Sequence, residues 1–266
     1  MGNSAPSLVT HHSSPITHYN KRMRILAIDA GNTRIKWGWY DGVRWLRQSW
    51  VARAEADKLG AALAMVAPPD RIVISNVAGS AVRNSLAAAL EPFRVEPCWI
   101  EGQARQCGVT SSYGDPAQLG SDRWAALIGA WHLFHGPCVV VNAGTTMTVD
   151  ALSNDGVFLG GLIVPGVDMM RAALVENTAQ LKLDEGRFTY FPDSTADAIM
   201  SGAINALAGS IERMLRLMQE TGQIAPLVVL SGGAAALLEP QLNARVELVD
   251  NLVLEGLIRI ALERSE

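Results

Sequence analysis

One short sequence pattern occurs twice in this chain, and the repetition limits the folds that the chain can adopt. The copies span residues 26–38 and 139–150. In each, an apolar run leads into Asp or Asn, then Ala-Gly, then small hydroxyl or amide residues, and then a second strand-like run. Two similar hairpins in two halves of one chain predict two related lobes. The copies match in three pairs: Asp29 with Asn142, Gly31 with Gly144, and Thr33 with Thr146.

The first turn contains residue types that suit an anionic ligand. Gly31 lets the backbone approach a ligand closely, and the amides around it can point at anionic oxygens. Residues 32–36 add hydroxyl and amide donors and two basic side chains. A single copy is equally typical of an ordinary hairpin turn. The second copy favours phosphate binding, with Asp29 at a strand end where it can hold a hydrated Mg²⁺ ion.

Composition excludes several classes of protein. The 266 residues suit one large domain or two compact lobes. A net charge of -4 argues against a general nucleic-acid binder, and no apolar run reaches the roughly 18 residues of a membrane span. The three cysteines form no CxxC pair, which is typical of free thiols in the reducing cytoplasm. Residues 1–22 are polar and predict a flexible N-terminal extension rather than a signal peptide.

Hydrophobic periodicity predicts the same order of elements in both halves of the chain. The first half is predicted as β-β-β-α-β-α-β, with a loop over 103–119 and a helix over 122–134. The second half repeats β-β-β-α-β-α with insertions. This α/β order resembles two duplicated ribonuclease-H-like lobes, as in the actin-like ATPases, with a nucleotide cleft between them. The predicted lobes are residues 23–137 and 138–266.

A second group of polar residues opens the predicted helix after residue 120. Free amides at Gly120 and Ser121 favour an anion. Asp122, in the first turn, can accept a proton from a substrate hydroxyl, and Arg123 can hold a carboxylate or a transferring phosphoryl group. Taken alone, an early acidic residue more often only complements the helix dipole. The chain has no Walker A or GxGxxG pattern, which argues against P-loop and Rossmann chemistry.

The ordered motifs together are similar to those of the type III pantothenate kinases. They are Asp29–Lys36, Gly120–Arg123, Ala143–Thr145, Gly161–Gly166 and Ser231–Gly233. The resemblance covers about residues 23–263, and a Bordetella-type accessory protein of the same family is also similar. It implies ATP-dependent phosphorylation of pantothenate to 4′-phosphopantothenate, the first step of coenzyme A biosynthesis. It also implies a cytoplasmic homodimer with the pantothenate pocket at the subunit interface.

The resemblance assigns roles to individual residues. Asp122 would be the catalytic base. The residues that would bind ATP are Asp29, Ala30, Gly31, Asn32, Thr33, Arg34, Ile35, Lys36 and Thr145. Those that would surround pantothenate are Tyr113, Gly120, Ser121, Asp122, Arg123 and Thr195. The implied cofactors are ATP, Mg²⁺ and a monovalent cation, K⁺ or NH₄⁺.

One position departs from the family pattern. The family usually carries Asp where this chain has Asn142, and that carboxylate serves the monovalent cation. An amide offers only a dipole, so weaker cation binding is expected at Asn142. A regulatory protein with the same fold is the alternative function, and an Hsp70- or actin-like ATPase is a third. The joint presence of Asp29, Lys36, Asp122 and Arg123 favours catalysis.

Overall fold

The computed structural model of the chain describes residues 23–64, 67–178 and 184–263. The predicted extension, residues 1–22, lies outside the described residues. The strands are β1 Ile25–Ala30, β2 Arg34–Tyr40, β3 Trp45–Ala52, β4 Arg71–Asn76, β5 Pro97–Trp99, β6 Arg105–Gln106, β7 Val109–Ser111, β8 Cys138–Ala143, β9 Thr146–Leu152, β10 Val157–Pro165, β11 Leu227–Ser231 and β12 Val246–Leu248. The α-helices are α1 Leu59–Leu63, α2 Ser80–Leu90, α3 Ser121–Phe134, α4 Val167–Glu176, α5 Thr195–Glu220, α6 Ala235–Leu238 and α7 Leu252–Glu263.

Both sheets have the same strand order, which shows the duplication directly. The first sheet runs β3-β2-β1-β4-β5, and the second runs β10-β9-β8-β11-β12 with β7 and β6 added beyond β10. In each sheet, the first three strands of the unit pair antiparallel, and the fourth and fifth add in parallel. The predicted α/β fold with a duplicated unit is therefore confirmed.

One local prediction was wrong. The predicted loop at 103–119 contains β6 and β7, and β7 pairs in parallel with the edge strand β10. Strands of two and three residues are too short to show a periodicity in sequence. The first helix of the predicted order is present, and it begins as a 3₁₀ helix, Arg53–Lys58, that leads into α1. Glu55 has non-helical backbone angles, and no side chain caps the turn.

The two helices α3 and α7 lie between the sheets. Their apolar residues form one buried cluster with Ile25 of the first sheet and Val140 of the second. The helix backbones approach closely, because a Cβ atom on Gly129 would lie 2.7 Å from the carbonyl oxygen of Leu252. The outer face of the first sheet is covered by α1 and α2, and that of the second mainly by α5.

The chain crosses between the two sheets more than once. Strands β6 and β7 precede residue 137 but belong to the second sheet. Helix α7 follows it but packs on β1 and β4 of the first sheet. Its Glu255 also accepts a hydrogen bond from the Trp45 indole of β3 at 2.6 Å. The division into lobes at 137 and 138 stays a prediction. Among the described residues, no helix is both long and apolar enough to cross a membrane.

Candidate active site

The two repeated turns meet at their threonine residues. The hydroxyl oxygens of Thr33 and Thr145 lie 2.6 Å apart. Ala30 pairs with Ile35 across the first hairpin, so four residues separate them, whereas three separate Ala143 from Met147 in the second hairpin. The first turn is therefore one residue longer. Thr33 directly precedes β2, and Thr145 directly precedes β9, so these two threonines correspond in the two hairpins. The predicted match of Thr33 with Thr146 was therefore wrong by one position.

The match of Asp29 with Asn142 is confirmed by strand register. Asp29 lies between Lys36 on β2 and Ser75 on β4. Asn142 lies between Thr148 on β9 and Ser231 on β11. The two residues occupy equivalent positions at the ends of the central strands, one as a carboxylate and the other as a neutral amide.

Asp29 is a buried carboxyl group that lacks a hydrogen bond on one oxygen. Its side chain is 9% exposed, and no described atom forms a hydrogen bond with Oδ1. Burial raises the pKa of Asp29 to about 7; the charge of Asp122 acts in the same direction, and Lys36 opposes it. A carboxylate with an unsatisfied buried oxygen has the chemistry of a cation ligand.

The rest of the first turn divides into buried and exposed positions. Ala30 and Ile35 are fully buried in the sheet, backbone and side chain alike. Residues 31–33 lie at the surface of the turn. Arg34 is exposed, and its guanidinium stacks on the Trp50 ring at 4.3 Å from the centroid.

The start of α3 is fixed next to this turn by a buried pair of serines. Ser75 Oγ and Ser121 Oγ lie 2.9 Å apart, and Ser75 is the register neighbour of Asp29 on the parallel strand β4. The Arg123 amide donates to Asp122 Oδ1 at 2.8 Å. Burial raises the pKa of Asp122, and the amide and charge of Arg123 oppose that shift. The predicted base, Asp122, and the predicted Mg²⁺ ligand, Asp29, are thus brought together, since the charge of one acts on the pKa of the other.

Arg123 forms a buried ion pair that the sequence reasoning missed. Its guanidinium donates to Asp150 from Nε at 3.2 Å and from Nη2 at 2.5 Å. The guanidinium is also 3.4 Å from the Tyr113 hydroxyl and lies over the Phe158 ring. Burial lowers the pKa of the guanidinium, but hydrogen bonding to Asp150 raises it above its ordinary value. Burial raises the pKa of Asp150 to about 6, with Arg123 opposing, so this pair is ionised at neutral pH.

Gly161 makes room for this ion pair. It faces Asp150 across the antiparallel strands β9 and β10. A Cβ atom at this position would overlap the Asp150 carboxylate and lie 2.7 Å from Arg123 Nη2. Asp150 was detectable from sequence as the single charged residue of a mostly buried strand, because a buried charge needs a partner.

Thr195 lies apart from this cluster. It is the first residue of α5, capped by Ser194, whose hydroxyl accepts from the Asp197 amide at 3.2 Å. Thr195 lines an apolar pocket between α4 and α5, together with Pro165, Met170, Ala173, Leu174, Ala198, Ile199, Gly202 and Ala203. Within the described part of one chain, no hydrogen bond joins Thr195 to Asp122 or Arg123.

Comparison with known proteins identifies the family. Residues 25–217 match the family of type III pantothenate kinases. The chain belongs to this family. The type III pantothenate kinase of Nitrosospira multiformis is 52% identical over 242 residues, which cover 91% of this chain and 92% of that protein. The type III pantothenate kinase of Aromatoleum aromaticum is 51% identical, with 90% of this chain and 98% of that protein covered.

Solved structures of other proteins share the fold of this chain. One neighbour, from Campylobacter jejuni, is described as a Baf family transcriptional activator: TM-score 0.58, 20% identity, 90% of this chain and 98% of that chain covered. Another, from Sinorhizobium meliloti, is described as a 2-dehydro-3-deoxygalactonokinase: TM-score 0.54, 16% identity, 89% and 98% covered. At these identities the likeness concerns the fold alone.

Proposed function

We propose that the protein transfers the γ-phosphoryl group of ATP to the primary hydroxyl of pantothenate, giving ADP and 4′-phosphopantothenate. The observation that carries this proposal is the convergence of three elements at one place. The two repeated turns meet at Thr33 and Thr145, and the helix that carries Asp122 is linked by Ser121 to the strand beside Asp29. The membership of the type III pantothenate kinase family supports the identity of the acceptor.

The nucleotide phosphates would lie against the first turn, between Gly31 and Thr145. Backbone amides near Gly31 and the two threonine hydroxyls supply neutral donors, and Lys36 supplies positive charge. A Mg²⁺ ion would be held by Asp29, whose buried Oδ1 lacks a partner among the described residues, together with phosphate oxygens. Mg²⁺ commonly binds through one or two carboxylates and substrate phosphates, and its chemistry here is to neutralise phosphate charge.

Asp122 would accept the proton of the attacking hydroxyl. The hydroxyl oxygen forms a bond to the γ-phosphorus as the bond from that phosphorus to the bridging oxygen breaks, and ADP leaves. The partly buried carboxyl group has a raised pKa, which brings it closer to the pKa range in which a general base is most effective at neutral pH. Arg123 would bind the pantothenate molecule beside this base.

The pocket at Thr195 supports a homodimer with a shared acceptor site. Large apolar side chains are exposed on the neighbouring strand β10 and helix α4, namely Leu159, Leu162, Ile163, Met169 and Leu174. Exposed apolar patches of this kind mark protein interfaces. Thr195 of one protomer would reach the acceptor bound near Asp122 of the other. The thiols of Cys107 and Cys138, which form no disulfide, support the cytoplasm as the compartment.

The proposal is tested with purified protein, ATP, Mg²⁺ and pantothenate. We expect 4′-phosphopantothenate by mass spectrometry and ADP in equal amount. If no product forms with any nucleoside triphosphate, with Mg²⁺ or Mn²⁺ and with K⁺ or NH₄⁺, the kinase proposal fails. The regulatory protein of the same fold would then be the better account.

A further inference from the structure

We infer that Asp150 is a positioning residue that aims Arg123 at the carboxylate of the acceptor substrate. The inference rests on the proposed function and adds a residue that acts through Arg123 rather than by touching the substrate. Its basis is the geometry of a buried ion pair beside Asp122, together with a glycine that leaves room for it.

Arg123 needs a partner because of where it lies. It is 7% exposed and occupies the first turn of α3. A cation at that end of a helix is opposed by the helix dipole, and a buried charge without a partner is costly. Asp150, at 1% exposure on β9, supplies the compensating charge from a rigid strand.

The hydrogen bonds to Asp150 determine which donors of Arg123 remain free. A guanidinium has five N–H groups. Asp150 takes Nε and one hydrogen of Nη2, and the Tyr113 hydroxyl takes one hydrogen of Nη1. One N–H is left on each terminal nitrogen. Two such donors on one planar group match the two oxygens of a carboxylate.

Charge favours a carboxylate over the transferring phosphoryl group as the ligand of Arg123. Asp150 cancels the charge of the guanidinium, so the pair as a whole is neutral. A neutral pair can still recognise a carboxylate by paired hydrogen bonds. It is poorly suited to offset the several charges of a phosphoryl group in transfer, for which Lys36 and Mg²⁺ at Asp29 are available.

Gly161 keeps the orientation of the pair intact. Any side chain there would enter the space of the Asp150 carboxylate and Arg123 Nη2. The Phe158 ring lies 5.7 Å from the guanidinium carbon and packs against the Tyr113 ring at 5.1 Å. The guanidinium is therefore bounded by Asp150, Tyr113 and Phe158, and the ion pair fills the space over Gly161.

The decisive measurement is the separation of KM from kcat. In Asp150→Asn, we expect KM for pantothenate to rise about 10- to 100-fold, because the carboxylate-binding edge of Arg123 is no longer held in place. The kcat and KM for ATP should change by less than about threefold. Gly161→Ala should raise KM for pantothenate in the same way while keeping both charged groups. Gly209→Ala, with no described atom near the added methyl group, is the matched control and should leave all constants unchanged.

A double variant tests whether the two residues act through one arrangement. If Gly161 acts only by accommodating the pair, adding Gly161→Ala to Asp150→Asn should raise KM no further than the larger single effect. Assays run well below the unfolding temperature of each variant separate this role from a loss of stability. A purely structural role would lower that temperature and leave KM for pantothenate unchanged.

Two results would overturn the inference. One is a folded Asp150→Asn protein with the wild-type KM for pantothenate; the other is a fall in kcat at constant KM, which would place Arg123 on the phosphoryl group. If Asp150→Asn does not fold, Gly161→Ala decides the question in the same assay. Failure of the proposed function is distinct, because it would appear as a wild-type protein that forms no product.

Discussion

The hydroxyl groups of Thr33 and Thr145 lie 2.6 Å apart although 112 positions separate the two residues in the chain. Each threonine comes from one of the repeated hairpins, and the contact brings both turns to the same ligand. The two hydroxyls can therefore act together on one phosphate chain.

Loss of one of these hydroxyls should weaken ATP binding. For Thr145→Ala, we expect KM for ATP to rise about 2- to 10-fold. A neutral hydrogen bond contributes about 0.5–1.5 kcal/mol, and its loss weakens binding by about that factor. Thr146→Ala is the matched control, because Thr146 has no described hydrogen bond to the first turn. Equal effects of both substitutions on KM for ATP would refute the assignment of Thr145.

Asp122→Asn should abolish turnover while keeping nucleotide binding. The amide preserves size but cannot accept the proton, and a general base contributes about 10²- to 10⁴-fold. The measurement is kcat under saturating substrates, with ATP affinity from calorimetry as the control. A variant that turns over at close to the wild-type rate would reduce Asp122 to a helix-dipole residue.

Asp29 should make the protein less stable as the pH rises. The folded pKa of about 7 lies above the ordinary value of 3.8, so the folded state binds the extra proton between these values. The stability from that proton is complete below about pH 4 and is lost as the pH rises through 7. Asp29→Asn should therefore unfold at a higher temperature than wild type at pH 8, with a smaller difference at pH 5. A difference independent of pH would contradict the raised pKa.

Asn142 should weaken the response to monovalent cations. A carboxylate attracts K⁺ by charge, whereas an amide offers a dipole alone. Titration with K⁺ at constant ionic strength should give a shallow response in wild type and a steeper one in Asn142→Asp. A strong, saturable K⁺ requirement in wild type, unchanged by the substitution, would show that other groups hold the cation.

A charge on the exposed apolar surface of β10 should disrupt the proposed homodimer. Ile163 is 62% exposed, and Ile163→Glu would place a carboxylate in an apolar interface. Light scattering should report a dimer for wild type and a monomer for the variant, with lower activity because Thr195 no longer reaches the partner. A stable, fully active wild-type monomer would refute the shared pocket.

The sequence was most informative where a pattern was long or repeated. The apolar sequences of β1 and β8, each followed by an Ala-Gly pair and a polar turn, predicted the duplicated sheets. The pairing of Asp150 with Arg123 was missed, because it joins a strand to a helix 27 positions away and no local periodicity encodes such a contact. The one-residue error at Thr146 arose because turn length depends on hairpin register, which residue types alone did not reveal.

The return of α7 to the first sheet affects how this protein is made. The inner face of β1 and β4 is covered in part by α7, whose buried residues include Leu254 and Leu257. A nascent chain on the ribosome therefore carries an apolar surface on β1 and β4 that lacks this cover until α7 has been synthesised. Premature termination anywhere before residue 252 leaves that surface without its cover, and the incomplete product becomes a substrate for chaperones and proteases.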